Sequence, residues 1–60
     1  MLFWNLGILY QLKKDFENSI QNFKKAVEIS SDYSSLYFDF GNTYFANNDY
    51  DNAIKCYEKQ

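Results

Sequence analysis

Apolar residues fall along this chain in two rhythms, and each rhythm occurs twice. Phe3, Leu6, Gly7 and Tyr10 stand at the i, i+3, i+4, i+7 spacing that lines one face of an α-helix, and Tyr37, Phe40, Gly41 and Tyr44 repeat it. Phe16, Ser19, Ile20, Phe23, Ala26 and Val27 form a second stripe, echoed by Tyr50, Ala53, Ile54 and Tyr57. The pattern predicts A helices over about 2–13 and 35–47 and B helices over about 16–29 and 50–59. Asp15 and Glu17, and again Asp49 and Asp51, stand where the B helices start. Carboxylates there cap free N–H groups and meet the positive helix end. The same acids could be read as a paired-carboxylate active site, but capping accounts for the spacing in both copies. The polar run from Ser30 to Ser35 connects the copies, with Asp32 or Ser34 expected to cap the second A helix.

The repetition is a property of the residues as well as of the rhythm. At an offset of 34, residues 1–26 align with 35–60, and seven of the 26 pairs are identical: Leu2, Gly7, Tyr10, Asp15, Asn18, Ile20 and Lys25 meet Leu36, Gly41, Tyr44, Asp49, Asn52, Ile54 and Lys59. Aromatic exchanges lie beside them, such as Phe3 with Tyr37, Trp4 with Phe38 and Phe23 with Tyr57. A unit of this length that recurs is the mark of a stacked repeat architecture. The expected fold class is therefore all-α, with antiparallel helical hairpins stacked as an α-solenoid. Repeat one is expected over 1–33 and a partial repeat two over 34–60.

Composition narrows what such a fold could do. Sixty residues make one small domain, and a chain of that size buries only about 60% of the surface its unfolded form exposes. One cysteine, Cys56, excludes an internal disulfide, and the absence of histidine removes the usual zinc ligand sets. An intracellular, cytoplasmic setting is the default, and Cys56 is expected to serve as a small buried hydrophobe. A net charge of −2 gives no field to attract phosphate backbones, so no nucleic-acid partner is expected. The pairs Lys13-Lys14 and Lys24-Lys25 read as solvated helix faces. The apolar stretch 1–12 lacks a positive leader region and is too short to span a bilayer, so no membrane partner is expected. No histidine, phosphate-binding glycine loop or nucleophile beside a base is present, from which we expect no catalysis, no cofactor and no metal.

The chain resembles the tetratricopeptide repeat, whose pattern runs W-x2-L-G-x2-Y, then A-x3-F, then P. The first copy reads Phe3, Leu6, Gly7, Tyr10, Ser19, Phe23 and Ser31; the second reads Tyr37, Phe40, Gly41, Tyr44, Ala53 and Tyr57. Gly7 and Gly41 would each cost about 1 kcal/mol relative to Ala in a helix interior, so a neighbouring helix is expected to pack closely there. Ser31 replaces the usual proline, so the first B helix is expected to run on a little or to join its successor less rigidly. Neither end carries a polar cap, and the chain is expected to be part of a longer array or to cover its ends by self-association or further repeats.

The resemblance implies a protein-interaction scaffold whose A helices line a concave groove. Carried over position by position, the partner-binding residues are Trp4, Asn5, Ile8 and Gln11, then Phe38, Asp39, Asn42 and Phe45. A groove of aromatics and amides suits an apolar or amphipathic peptide or helix. A competing use for Trp4 and Phe38 is packing against each other or against a neighbouring repeat. Family members that clamp the acidic tails of chaperones place a lysine and an asparagine where this chain has Trp4 and Ile8, which argues against that binding mode. The alternative reading is a targeting or regulatory repeat segment of a larger enzyme, since such repeats precede the catalytic domains of some glycosyltransferases and phosphatases.

Overall fold

A computed structural model describes residues 2–30 and 32–59. Four helices follow one another: α1 (Leu2–Leu12), α2 (Phe16–Ile29), α3 (Ser34–Ala46) and α4 (Tyr50–Glu58). Helix α1 packs on α2 and α3 on α4 as two hairpins, α2 lies against α3, and α1 touches α3 more lightly. The backbone fills a slab of 26 × 25 × 14 Å. A slab so thin leaves every helix with a free side.

The hairpins are built by the same local device. Helix α1 ends with Lys14 at φ 64°, its N–H donating to Gln11 O at 2.9 Å while Asp15 N–H donates to Tyr10 O at 2.9 Å. Helix α3 ends in the same way, with Asn48 at φ 63°, Asn48 N–H on Phe45 O at 3.0 Å and Asp49 N–H on Tyr44 O at 2.9 Å. This is a Schellman motif, in which one left-handed residue satisfies the last carbonyls and reverses the chain. The next residue at once caps the following helix: Asp15 accepts from Asn18 N at 3.4 Å and Asn18 Nδ2 at 2.8 Å, and Asp49 does the same with Asn52. Such a cap contributes about 1 kcal/mol.

The connection between hairpins departs from expectation. The N-cap of α3 is Tyr33, without a side-chain cap bond, so neither Asp32 nor Ser34 serves. Ser34 already lies inside the helix, and Asp32 comes one residue too early. The ring of Tyr33 instead rests on Trp4 of α1, with centroids 5.8 Å apart. Helix α2 stops at Ile29 with Ser30 as its cap; Ser31, where the missing proline was expected to matter, lies outside the described residues.

Both helical glycines sit where helix A meets the aromatic of helix B. A Cβ on Gly7 would stand 2.9 Å from three ring atoms of Phe23, and one on Gly41 would stand 2.7 Å from the ring of Tyr57 and 3.2 Å from Cys56 Cβ. The glycines let the helices approach until those rings fill the seam. The core is Phe23, Ala26, Leu36, Phe40, Tyr44, Ala53 and Cys56. Through it runs an aromatic column, Phe23 stacked on Phe40 at 5.6 Å and Phe40 on Tyr44 at 4.7 Å, which carries the packing of the first hairpin into the second.

Candidate functional site

The residues expected to bind a partner lie on α1 and α3, and the light contact between those helices is tied by hydrogen bonds. Trp4 Nε1 donates to Asp39 Oδ2 at 2.8 Å. Lower in the seam, Ser19 Oγ donates to Gly7 O at 2.6 Å and lies 3.1 Å from Thr43 Oγ1, which donates to Gln11 Oε1 at 2.7 Å. Ser19 and Thr43 are fully buried, and no buried side-chain polar atom among the described residues lacks a partner. The network therefore joins α1, α2 and α3 without leaving an unmet donor or acceptor, a condition on which its stabilising effect depends.

These links divide the eight expected binding residues. Trp4 and Asp39 are engaged with each other, and Gln11 lends its carbonyl oxygen to Thr43. Asn42 Oδ1 accepts from the Tyr57 hydroxyl, and Phe38 packs against the same ring at 5.9 Å. Trp4 and Phe38 thus rest on Tyr33 and Tyr57 respectively, with no ring contact between them. Ile8 packs on the core, and Phe45 stands edge-on to Tyr50 at 5.5 Å, at the end of the slab. Asn5 and Phe38 are exposed. The surface that remains open is Asn5 and the rim of Trp4 on α1, with Phe38 and Asn42 on α3. Tyr33, Tyr57 and Thr43 support it without having been assigned to it; only Tyr57 repeats an aromatic of the first copy, Phe23, whereas Thr43 pairs with Leu9 at the 34-residue offset and carried no such signal.

Two other features lie apart from this surface. A cleft of about 240 Å³ at the open end of the first hairpin is lined by Leu2, Phe3, Ala26, Ile29 and Ser30, none of them an expected binding residue. Cys56 is buried, and desolvation raises the pKa of its thiol from the ordinary 9.0 while Lys59 opposes the shift. Tyr44 is raised from 10.0 by desolvation, then by Cys56 and Asp49. Both shifts favour the neutral form in the fold. Their contribution to stability is complete below those ordinary values and is lost as pH rises past them towards the folded-state values.

Hairpin stacked on hairpin, with a glycine in each A helix receiving an aromatic from each B helix, defines a helical repeat protein. The chain belongs to the tetratricopeptide repeat family, whose model matches residues 1–59. Two curated relatives, from Hordeum vulgare and Oryza sativa subsp. japonica, both carry the name "Probable UDP-N-acetylglucosamine--peptide N-acetylglucosaminyltransferase SPINDLY". Each is 34% identical over 55 residues, covering 92% of this chain and 6% of the relative. The expectation that the protein is not an enzyme is corrected by these relatives, which are named as glycosyltransferases. That expectation rested on motifs within sixty residues, and the matched stretch is too small a share of the relatives to report on the activity they are named for. Among the described residues no helix is long and apolar enough to cross a membrane.

Proposed function

We propose that the chain binds a partner peptide or helix through the surface shared by α1 and α3, with Asn5, the Trp4 rim, Phe38 and Asn42 making the contacts. The observation that carries this is the exposure of Phe38 and Asn5 beside a Trp4–Asp39 bond that holds the two A helices in register. A bound segment needs such a rigid floor, because a surface ordered only on binding loses affinity to that ordering. The oxygen of Asn42 is engaged within the fold, so its amide N–H groups are what a partner's backbone carbonyl would meet.

Trp4 is the only tryptophan and lies on this surface, so its emission reports occupancy directly. Peptides selected from a random library on the intact chain are expected to shift that emission. Phe38→Ala and Asn5→Ala are expected to weaken their binding about tenfold, or roughly 1.4 kcal/mol, at unchanged helical circular dichroism. Selected peptides that bind both variants as tightly as the parent would remove the assignment.

A second reading follows from the names of the relatives: the repeats form a segment of a larger peptide glycosyltransferase, where the same surface would hold a peptide. Its test is transfer of N-acetylglucosamine to a library-selected peptide by the protein in its native length, with loss of transfer in Phe38→Ala as the expected result.

A further inference from the structure

Charge is divided unevenly between the two layers of helices. The lysines and all but one of the acids lie on α2, α4 and the segments beside them, while α1 and α3 carry a single charged side chain, Asp39. Asp39 is half-buried, and among the described residues its carboxylate has one hydrogen bond, accepted by Oδ2 from Trp4 Nε1 at 2.8 Å, and no ionic partner. The indole that holds it also meets the Tyr33 ring, 5.8 Å away and tilted by 44°. Tyr33 is 50% exposed and Phe38, next to Asp39 on α3, is 48% exposed. Open aromatic faces thus accompany the one carboxylate of the A layer.

The chain's own cations use other rings. Lys25 Nζ lies 5.4 Å from the centre of the Phe3 ring and Lys59 Nζ 5.6 Å from that of Tyr37, equivalent pairs at the 34-residue offset. Among the described residues no lysine is placed in this way over Trp4, Tyr33 or Phe38. Two attractions that seat a cation, a carboxylate and the negative face of an aromatic ring, are therefore present together and unused. A peptide laid across Trp4 and Phe38 would strip water from Asp39. One neutral indole N–H does not offset the loss of hydration of a carboxylate, whereas a positive side chain placed there does. A neutral or acidic side chain in the same place would leave the charge unmet, which disfavours such partners.

We propose that the surface selects a peptide carrying an arginine, whose guanidinium bonds the open oxygen of Asp39 and lies against the Tyr33 or Trp4 ring. This rests on the reading that α1 and α3 bind a peptide, and it names the chemistry of that peptide. Arginine fits better than lysine because its planar cation stacks on rings and is less strongly hydrated than an ammonium. The Trp4 to Asp39 bond then has a second role besides holding the A helices together: by taking Oδ2 it leaves Oδ1 for the partner.

Peptides selected from a random library on the intact chain are the probe, and they are expected to be enriched in arginine over the input library. Exchange of that arginine for citrulline, which keeps the shape and removes the charge, is expected to weaken binding about tenfold. Asp39→Asn keeps an oxygen for the Trp4 N–H and removes only the charge. It is expected to bind the arginine peptides about tenfold more weakly at unchanged helical circular dichroism, and to bind the citrulline peptides like the parent. Glu28→Gln removes the same charge from an exposed site on α2 and is expected to change neither affinity. Should Asp39→Asn lose its helical signal, the citrulline exchange on the parent chain decides. Peptides that are weakened by Phe38→Ala but carry no excess of arginine, or that bind equally with citrulline, would overturn the cation site and leave the surface assignment standing. An equal loss in Glu28→Gln would also overturn it, by marking a general attraction to the net charge. Selected peptides indifferent to both Phe38→Ala and Asn5→Ala would remove the surface and the cation site together.

Discussion

Phe23 and Tyr57 occupy the same place in their hairpins, each laid against the glycine of the preceding A helix, yet Phe23 is completely buried and Tyr57 is half-buried. The hairpins themselves do not explain the difference, since their turns, caps and glycines match. What differs is the layer beyond: α3 covers Phe23 with the ring of Phe40, whereas no described helix covers Tyr57. The hydroxyl follows from this. Phe23 is stacked on Phe40, while the Tyr57 hydroxyl finds Asn42 at the border with solvent. A repeat of this kind shapes its own hairpin but obtains much of its burial from the neighbour, as expected of architectures whose stability is a sum of unit and interface contributions.

The largest effect expected from this comparison comes from the two rings. Phe23→Ala removes a wholly buried aromatic from the junction, at a cost of about 3–5 kcal/mol. At roughly 0.05–0.15 kcal/mol per residue, a chain this short has about 3–9 kcal/mol in total, so the variant is expected to be largely unfolded by circular dichroism. Tyr57→Ala loses a half-buried ring and one hydrogen bond, about 2 kcal/mol, and should still show a cooperative urea transition. Equal losses at the two sites would mean that burial by the next layer is not what separates the hairpins.

Next in size are the glycines. Alanine gains about 1 kcal/mol over glycine in a helix interior, and forcing a methyl into a packed seam costs about 1–3 kcal/mol. At Gly7 the obstructing ring is held between helices and cannot retreat, so Gly7→Ala is expected to destabilise by about 1–2 kcal/mol. At Gly41 the nearest ring atoms belong to Tyr57, which can swing towards solvent, so Gly41→Ala is expected to lie within about 0.5 kcal/mol of the parent. Urea midpoints measure both. A larger loss at Gly41 would show that Cys56 Cβ, 3.2 Å from the added methyl, governs that site instead.

Much of this was legible in the residues. The helix limits fall within a residue or so of those expected from periodicity, because the 34-residue offset lets each copy check the other, and Asp15 and Asp49 mark the starts of α2 and α4 by simple chemistry. The cap of α3 was misread for a tertiary reason: contact with Trp4 places the Tyr33 ring at the cap, and no local rule for Ser and Asp anticipates a partner 29 residues away. For the proposed surface, the residues alone supply positions and not the states of their side chains. Spacing puts Trp4 and Asp39 on neighbouring A helices, but only the side-chain directions show them bonded to each other, and the same holds for Asn42 with Tyr57. Ser19 stands at the repeat position that Ala53 fills in the second copy, so the pattern marks it as a small residue of the B helix. That its hydroxyl also joins a network with Thr43 requires the third helix to be in place.

Ser19 therefore offers a way to make the first hairpin like the second. Ser19→Ala copies Ala53, removing the bond to Gly7 O and the contact with Thr43 while leaving Thr43 its bond to Gln11. The expected loss is about 1 kcal/mol, read as a lower urea midpoint with an unchanged slope. No loss would mean that packing of the small side chain is its whole contribution, and the two hairpins would then differ less at this position than the hydrogen bonds suggest.

The smallest and most local contrast is at the turns, where Lys14 and Asn48 share a left-handed backbone with φ near 64° and 63°. That conformation costs an L-residue about 1–2 kcal/mol, with Asn among the residues that tolerate it through short-range hydrogen bonding. Glycine removes the clash but brings greater freedom to the unfolded chain, which offsets part of the gain. Lys14→Gly is thus expected to stabilise by about 0.5–1 kcal/mol and Asn48→Gly by roughly 0.3 kcal/mol or less. Thermal midpoints of the two variants against the parent give the answer, because neither side chain takes part in the core. If Asn48→Gly gained as much as Lys14→Gly, asparagine would be relieving nothing at its turn, and the two Schellman ends would be equivalent in energy as well as in geometry.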